Sequence, residues 1–361
     1  MISQKILDIL PEVYRKFFPP FFEESIPIET LATCNDCAMC NKPGEPPMPG
    51  VNYFKPESKC CTFFPKLPNY LVGGLLSDTT PDLEEGRRRI IQRINERIGI
   101  IPSGVYPPKK YAILFKRGTD KTFGRNKTLI CPYYVKAGGN CSIWKFRETV
   151  CTTYYCKSIA GQEGKKFWAS MNLYLSHVQE SLMMHVIHTL NLDVEPILEQ
   201  LKSQNLEVLE VSDLDEVPLT QEEYSKLWGE WAGREVEFYK RAFEVVEAVT
   251  PERFQEICGV NQKIFLKSLD QRRTEITSPK MPDVLIRNPE LKSMALGTDR
   301  HVVRTETGFF IIQNSLYEAL DLFDGKRTRT EIAQIVKQKW NDTLRDDLLI
   351  PMFLNKIIVP A

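Results

Sequence analysis

The sequence predicts an α+β, mostly helical protein in three parts, and three observations predict it. Nine of its ten cysteines fall between Cys34 and Cys156, residues 165–276 carry helical periodicity, and two short extended runs after Pro279 and Pro282 precede three capped helical segments. The parts are an irregular, metal-stapled cysteine-cluster domain over 1–160, a helical connector over 161–280, and a small β-hairpin followed by helices over 281–361. At 361 residues, with 42% hydrophobic and 26% charged, the chain can bury more than one core.

In the first part, Ile2, Ile6, Ile9, Leu10, Val13 and Phe17 recur near helical spacing, so residues 2–18 read as a short amphipathic helix ended by Pro19 and Pro20. The run PGEPPMPGVNYFKP, residues 43–56, holds too much Pro and Gly for regular structure and leaves the first cysteines and the Cys60-Cys61 pair on loops. EEGRRRIIQRINERIG, residues 84–99, predicts a helix with Ile90, Ile94 and Ile98 on one side and arginines on the other. YAILF, residues 111–115, reads as a short strand. From Arg87 through Lys127 twelve Lys and Arg stand against Glu96 and Asp120, a local excess of ten positive charges.

In the connector, Trp168, Met171, Leu175, Val178, Leu182, His185 and Thr189 follow one helix face, and the capping box from Thr220 to Glu223 opens a second long helix. From Asp193 to Glu223 ten acids stand against Lys202 alone. Two accounts fit these opposed stretches. The acidic one is a solvated linker and helix face that docks on the basic segment of the same molecule, or the basic segment binds an acidic or phosphate-bearing partner in a salt-dependent way.

In the last part, His301 to Thr305 and Phe309 to Gln313 are extended runs joined by a turn at Glu306-Thr307-Gly308. Capping boxes at Ser315 to Glu318 and Thr328 to Glu331 open two helices, and Asp346-Asp347 place acids in the first turn of a third. A helix from Arg327 to Trp340 carries four basic residues, but Glu331, Ile332, Ile335 and Val336 leave too little basic surface to expect DNA reading.

Lys+Arg and Asp+Glu both total 47, so global charge gives no reason to expect nucleic acid as a partner. No stretch approaches the roughly 20 apolar residues that span a bilayer, and Met1 to Glu24 lacks the apolar core of a signal peptide. A cytoplasmic location with no membrane partner is expected. Thiols are kept reduced there, so a dense cysteine set points to metal or catalysis rather than to disulfides. No radical-SAM C-x3-C-x2-C, G-x-G-x-x-G or P-loop pattern is present, which argues against a nucleotide enzyme.

The candidate metal ligands are Cys34, Cys37 and Cys40 in C-x2-C-x2-C, then Cys60-Cys61, then Cys131, Cys141, Cys151 and Cys156. Two-residue gaps let neighbouring thiolates turn onto one ion or cluster. Any four would satisfy zinc. The triplet with a remote Cys131-Pro132 tilts the reading towards an iron-sulfur cluster of the 4Fe-4S type. Nine thiols exceed four, so either two sites exist or some thiols are redox-active or idle. Cys258 stands apart and reads as a small buried hydrophobe. His177, His185 and His188 share a helix without the H-E-x-x-H pattern and read as core or surface histidines, and Tyr154 and Tyr155 as shields of the site.

CPYYVKAGGNCSIWKFRETVCTTYYC, residues 131–156, resembles the signature of the YkgJ-type cysteine-cluster proteins, a zinc- or iron-chelating family. Cys131, Tyr133, Gly138-Gly139, Cys141, Trp144, Arg147, Cys151 and Cys156 match its places in order. Cys37, Cys40, Cys60 and Cys61 fit its N-terminal half only with a long insertion, and Glu148 stands where the family usually has Pro. The resemblance implies a metal centre. Through its likeness to the flagellin lysine methylases it also implies a protein-modifying iron-sulfur enzyme as an alternative to a non-enzymatic, zinc-stapled scaffold.

Residues 283–361 resemble the PqqD-like domain, a hairpin plus winged-helix module, through the strand pair before Asn314, SLYEALDLFDGKRTRTEIAQIV and the closing DDLLIPMFLNKIIV. That resemblance implies a peptide or protein partner received as an added strand along the hairpin edge. A winged helix that only stabilises or dimerises is the competing account. Whether the chain is an enzyme stays open at this level, as does its oligomeric state.

Overall fold

Proline decides how the chain begins. Leu10 precedes Pro11 and is held extended at φ −100° and ψ 155°, as the clash with a following proline ring requires. In place of the predicted helix over 2–18 the described residues form two 3-10 turns, Ile6–Ile9 and Glu12–Tyr14, in which Ile6, Leu7, Ile9 and Tyr14 are buried and Val13 is half-buried. The computed structural model describes residues 5–25, 37, 39–42, 44, 47, 52–155, 158–204, 207 and 210–361. Helices dominate, and the sheets are small and antiparallel.

Two compact units emerge. One takes Met1–Ser25, Ala32–Cys156 and Tyr174–Lys263, the other Ile26–Leu31, Lys157–Leu173 and Ile264–Ala361. The stretch read as a connector, 161–280, is thus shared between them.

In the first unit, β1 (Leu67–Pro68) leads into α1 (Asn69–Ser77), which is buried from Asn69 through Leu76. α2 (Glu84–Glu96) has Ile90 and Ile94 inward and ends where Arg97 turns left-handed at φ 57°, so Ile98 lies beyond it. β2 (Ile100–Ile101) and β3 (Gly104–Val105) complete a three-stranded sheet in the order β1-β3-β2.

α3 (Lys109–Thr122) corrects the expectation of a strand at 111–115. The β-forming residues are local, but over the longer window Tyr111 and Phe115 stack four residues apart, and the Ala112 amide bonds the Pro108 carbonyl to start a helix. Then come the hairpin β4 (Tyr134–Val135) and β5 (Asn140–Cys141), the one-turn α4 (Thr149–Thr153), and α5 (Gly161–Thr189). Trp168, Met171, Leu175, Val178 and Leu182 are buried along α5 as its periodicity predicts, while Thr189 is exposed.

α6 (Val194–Ser203) is capped by Asp193. α7 (Gln221–Trp228) opens with the predicted Thr220–Glu223 capping box but is short, because Gly229 at φ 52° stops it. α8 (Glu235–Glu247) lies against α1, and a Cβ on Gly73 would strike the Tyr239 carbonyl oxygen. α9 (Pro251–Thr277) breaks at Gly259.

The opposed charge stretches meet within this unit. Lys109 Nζ pairs with Asp213 Oδ1 at 3.0 Å, the Lys109 amide donates to Glu216 at 2.6 Å, and Arg97 donates to Gln221 at 3.2 Å. Much of the remaining basic excess is spent on backbone carbonyls and on nearby acids such as Glu85 and Glu57.

In the second unit, β6 (Val284–Arg287) is the centre of one sheet, with β10 (Asp324–Thr328) and β11 (Ile358–Pro360) on its two sides. β7 (Lys292–Leu296), β8 (Arg300–Thr305) and β9 (Gly308–Gln313) form a second sheet that contains the predicted hairpin. α10 (Asn314–Ala319) starts one residue before Ser315, with no side-chain cap, so the expected box there is absent. α11 (Arg329–Trp340) has the predicted Thr328–Glu331 box, and α12 (Asp346–Leu354) has its two acids in the first turn. Leu285, Val303, Leu320, Phe323, Ile332 and Ile358 sit in one apolar core. Among the described residues no helix is long and apolar enough to cross a membrane.

Candidate metal centre

Backbone hydrogen bonds bring two cysteine-bearing segments of the first unit together, and a third, the turn carrying Cys151, follows them in the chain. The turn carrying Cys60 and Cys61 is closed by the Cys61 amide on the Ser58 carbonyl at 3.0 Å, with Lys59 left-handed at φ 50°. It is anchored by Ser58 Oγ on the Gly124 carbonyl at 2.9 Å and by the Gly124 amide on Thr62 Oγ1 at 2.7 Å. The Cys131 amide then donates to the Cys61 carbonyl at 2.8 Å, which sets the second segment directly against the first.

From Cys131 the chain enters the β4-β5 hairpin, in which Tyr134 faces Cys141. Its turn needs positive φ at Gly138 (86°) and Gly139 (67°), the conformation glycine adopts without strain. Lys59 Nζ donates to the Gly139 carbonyl at 3.1 Å, and the Arg89 guanidinium donates to the carbonyls of Tyr134, at 2.9 Å, and Pro132. Tyr111 holds Thr62 and Leu129 through their carbonyls. The hairpin is thereby tied both to the Cys60-Cys61 turn and to α2.

Cys151 lies on α4. Glu148 caps that turn, accepting from the Val150 amide at 2.8 Å and the Cys151 amide at 3.2 Å. Arg147 stacks 3.3 Å from the Trp144 ring centroid and donates to the Cys151 carbonyl at 3.3 Å. Burial pushes the Glu148 carboxyl up to about 7 against the pull of those two amides.

The thiols influence one another. Cys61 is raised well above the ordinary thiol range by its hydrogen bond with Cys60, by burial, and by the nearby Cys60, Cys131 and Cys141. Burial raises Cys131, followed by Cys141 and Cys60. Burial raises Cys151, followed by Glu148, Cys131 and Cys141. Cys60, Cys61, Cys131, Cys141 and Cys151 therefore form one electrostatic neighbourhood. Phe64, Tyr111 and Tyr133 pack around it edge to face. The Tyr133 hydroxyl is fully buried and has no hydrogen-bond partner among the described residues.

Cys37 and Cys40 form a separate turn, with the Cys40 amide on the Cys37 carbonyl at 3.1 Å and Cys40 bridged to Phe54. The Cys40 thiol is pushed up to about 11 by burial and by Cys37, with Lys59 and Lys42 pulling it down. Cys34 and Cys156 lie outside the described residues. None of the eight described cysteines, Cys258 included, is joined in a disulfide. Cys258 is buried, as a small hydrophobe would be. His177 lies with its Nε2 2.8 Å from the Cys258 carbonyl oxygen. Tyr154 packs on Phe123 with ring centroids 5.5 Å apart.

Thiols are soft donors suited to zinc or iron. The donor chemistry fits such a group, but the described side chains as they stand do not complete a site: among them no three Cys, His, Asp or Glu form a group that could hold a metal ion. Sequence reasoning found the cysteines and missed Arg89, Lys59 and Glu148. The departure at Glu148 from the resembling family was the one signal available, since an acid just before a helical turn is a cap. No family model, no curated protein and no solved structure matches this chain.

Proposed function

We propose that this chain is a cysteine-cluster metal protein holding zinc or an iron-sulfur cluster, and that its C-terminal unit receives a peptide or protein. The observation that carries the metal reading is the convergence of Cys60, Cys61, Cys131 and Cys141 on two segments whose backbones are bonded to each other, with Cys151, on the turn that follows, in electrostatic reach of Cys131 and Cys141. Neutral thiols gain little from such crowding, whereas a cation replaces their protons and turns mutual repulsion into shared coordination. Cys34, Cys37, Cys40 and Cys156 complete the proposed donor set. The orphaned Tyr133 hydroxyl beside Cys131 supports the reading, since a buried donor without a partner is costly and a ligated sulfur would accept from it.

The peptide reading is supported by the β7-β8-β9 sheet, in which, among the described residues, β7 and β9 each pair with β8 only. An arriving strand would find main-chain groups there.

Quantitative iron, sulfide and zinc analysis of anaerobically purified protein tests the metal reading. Iron with matching sulfide assigns a cluster, zinc without sulfide assigns a zinc site, and protein free of all three refutes it. A structural role is favoured by one feature: the segments that carry these thiols are built of two-residue strands, turns and a five-residue helix. Such short elements have little core of their own, so a metal there would act as a staple. Its removal should unfold this region rather than merely silence it.

A further inference from the structure

We propose that the outer face of the β7-β8-β9 sheet docks an acidic, amphipathic polypeptide segment. Cross-strand partners share a face of a sheet and successive residues alternate between faces. The register pairs Ser293 with Val303 and Ala295 with His301, and Val303 and Ile312 point into the core. The opposite face consists of three rows: Lys292, Arg304 and Phe309; then Met294, Val302 and Ile311; then Leu296, Arg300 and Gln313.

The middle row is apolar, yet Met294 is 53% and Ile311 46% exposed, and Phe309 beside them is 37% exposed. Basic residues flank this row at both ends, and no acid lies in any of the three rows. Asp299, 3.7 Å from Arg300, and Glu306 belong to the connecting turns. Lys292 stands directly opposite Arg304, a like-charged pair that costs the isolated sheet stability and that an incoming carboxylate would relieve. Arg304 already lies over the Phe309 ring at 5.0 Å, its charge held at the edge of the apolar row.

These features select the occupant. A second copy would bring positive rows against positive rows. Three strands span about 10 Å, close to the width of one helix. One apolar row between charged rows matches the single stripe of an amphipathic segment, whereas a bilayer surface would engage a broader patch. The proposal rests on the reading that the C-terminal unit receives a polypeptide, and it names that polypeptide's chemistry and the face it uses.

The test is fluorescence anisotropy of labelled peptides titrated with the full-length protein. One peptide carries Leu at helical spacing with Glu elsewhere, a second has Lys for Glu, and a third has Ser for Leu. The Leu/Glu peptide should bind, and the other two at least about ten-fold more weakly. The double variant Lys292→Glu, Arg304→Glu should lose about ten-fold in affinity, Met294→Ser should weaken binding without changing charge, and added salt should weaken the wild type. Circular dichroism confirms that the variants fold, and Met294→Ser with Lys292→Gln carry the test if the double reversal does not. Binding of none of the peptides overturns this proposal, and leaves strand addition along the sheet edge as a separate reading. Equal binding of the Glu and Lys peptides overturns only the charge assignment made here. Sedimentation of the wild type, but not the charge-reversed variant, with phosphatidylserine vesicles would give the face to a membrane and overturn the proposal.

Discussion

A buried thiol resists ionisation because its charge is poorly solvated, and a bound metal ion removes that penalty. Cys131 and Cys258 separate the two situations, since both are buried but only Cys131 has other cysteines around it. Cys131→Ala should strip most of the metal and lower the melting temperature, whereas Cys258→Ala should keep the full metal content and cost about 1 kcal/mol for the small cavity. Equal metal loss in both would contradict the assignment. His185 gives a pH signature independent of the thiols. Its pKa is lowered by burial, then by Arg253 and His188. Between that depressed value and the ordinary histidine range the unfolded chain binds the extra proton, so stability rises with pH there and falls on acidification. Urea unfolding followed across mildly acidic pH should show this slope in the wild type and a flatter one in His185→Leu. The grouping of the cysteines was legible in the sequence because their spacing is local. Arg89 and Lys59 were not, because each acts on a carbonyl brought to it by the fold, Pro132 and Tyr134 for one and Gly139 for the other.

Between elements, Arg89 supplies the hydrogen bonds from α2 to the β4-β5 hairpin, beside the close approach of Gly86 to the Ser142 carbonyl. Arg89 satisfies two carbonyls next to Cys131 and is itself oriented by Glu85, 2.6 Å away. Arg89→Leu keeps much of the side-chain bulk but leaves both carbonyls without that donor. It should cost about 1–3 kcal/mol and loosen the hairpin, seen as faster amide exchange at Ser142, whose amide bonds the Tyr133 carbonyl at 2.9 Å. Unchanged exchange at Ser142 would show that the hairpin is held by other means. Gly73 tests the packing of α1 on α8. Gly73→Ala drives a methyl group into the Tyr239 carbonyl, a backbone atom that cannot rotate away, and should destabilise by about 1–3 kcal/mol or more. α2 and α5 were readable from a repeating apolar face, and α11 from its Thr328–Glu331 capping box. Residues 111–115 misled because five β-forming residues say nothing about the helical window around them, and the start of the chain misled because one proline outweighs an otherwise regular pattern.

Across the whole chain, two kinds of stabilisation are at work. The second unit has a continuous apolar core from Leu285 to Ile358, built on sheets and capped helices. The segments that carry the clustered cysteines, residues 58–64 and 127–153, have turns, two-residue strands and a one-turn helix, joined to one another and to α2 and α3 largely by hydrogen bonds from Lys59, Arg89, Tyr111 and Glu148. Burial of apolar surface is indifferent to chelators, while a region stapled by metal gains its stability from the bound ion. Treating the native protein with a strong chelator should therefore raise amide exchange over residues 58–64 and 127–153 by orders of magnitude and open them to trypsin at sites such as Lys127 and Lys136. Exchange at Leu285, Val303 and Ile332 should stay nearly unchanged. Protection lost equally in both places would mean that the chain folds as one cooperative unit and that the metal supports all of it. Protection lost in neither would mean that hydrogen bonds and aromatic packing alone hold the cysteine segments, and the proposed centre would then have no structural part to play.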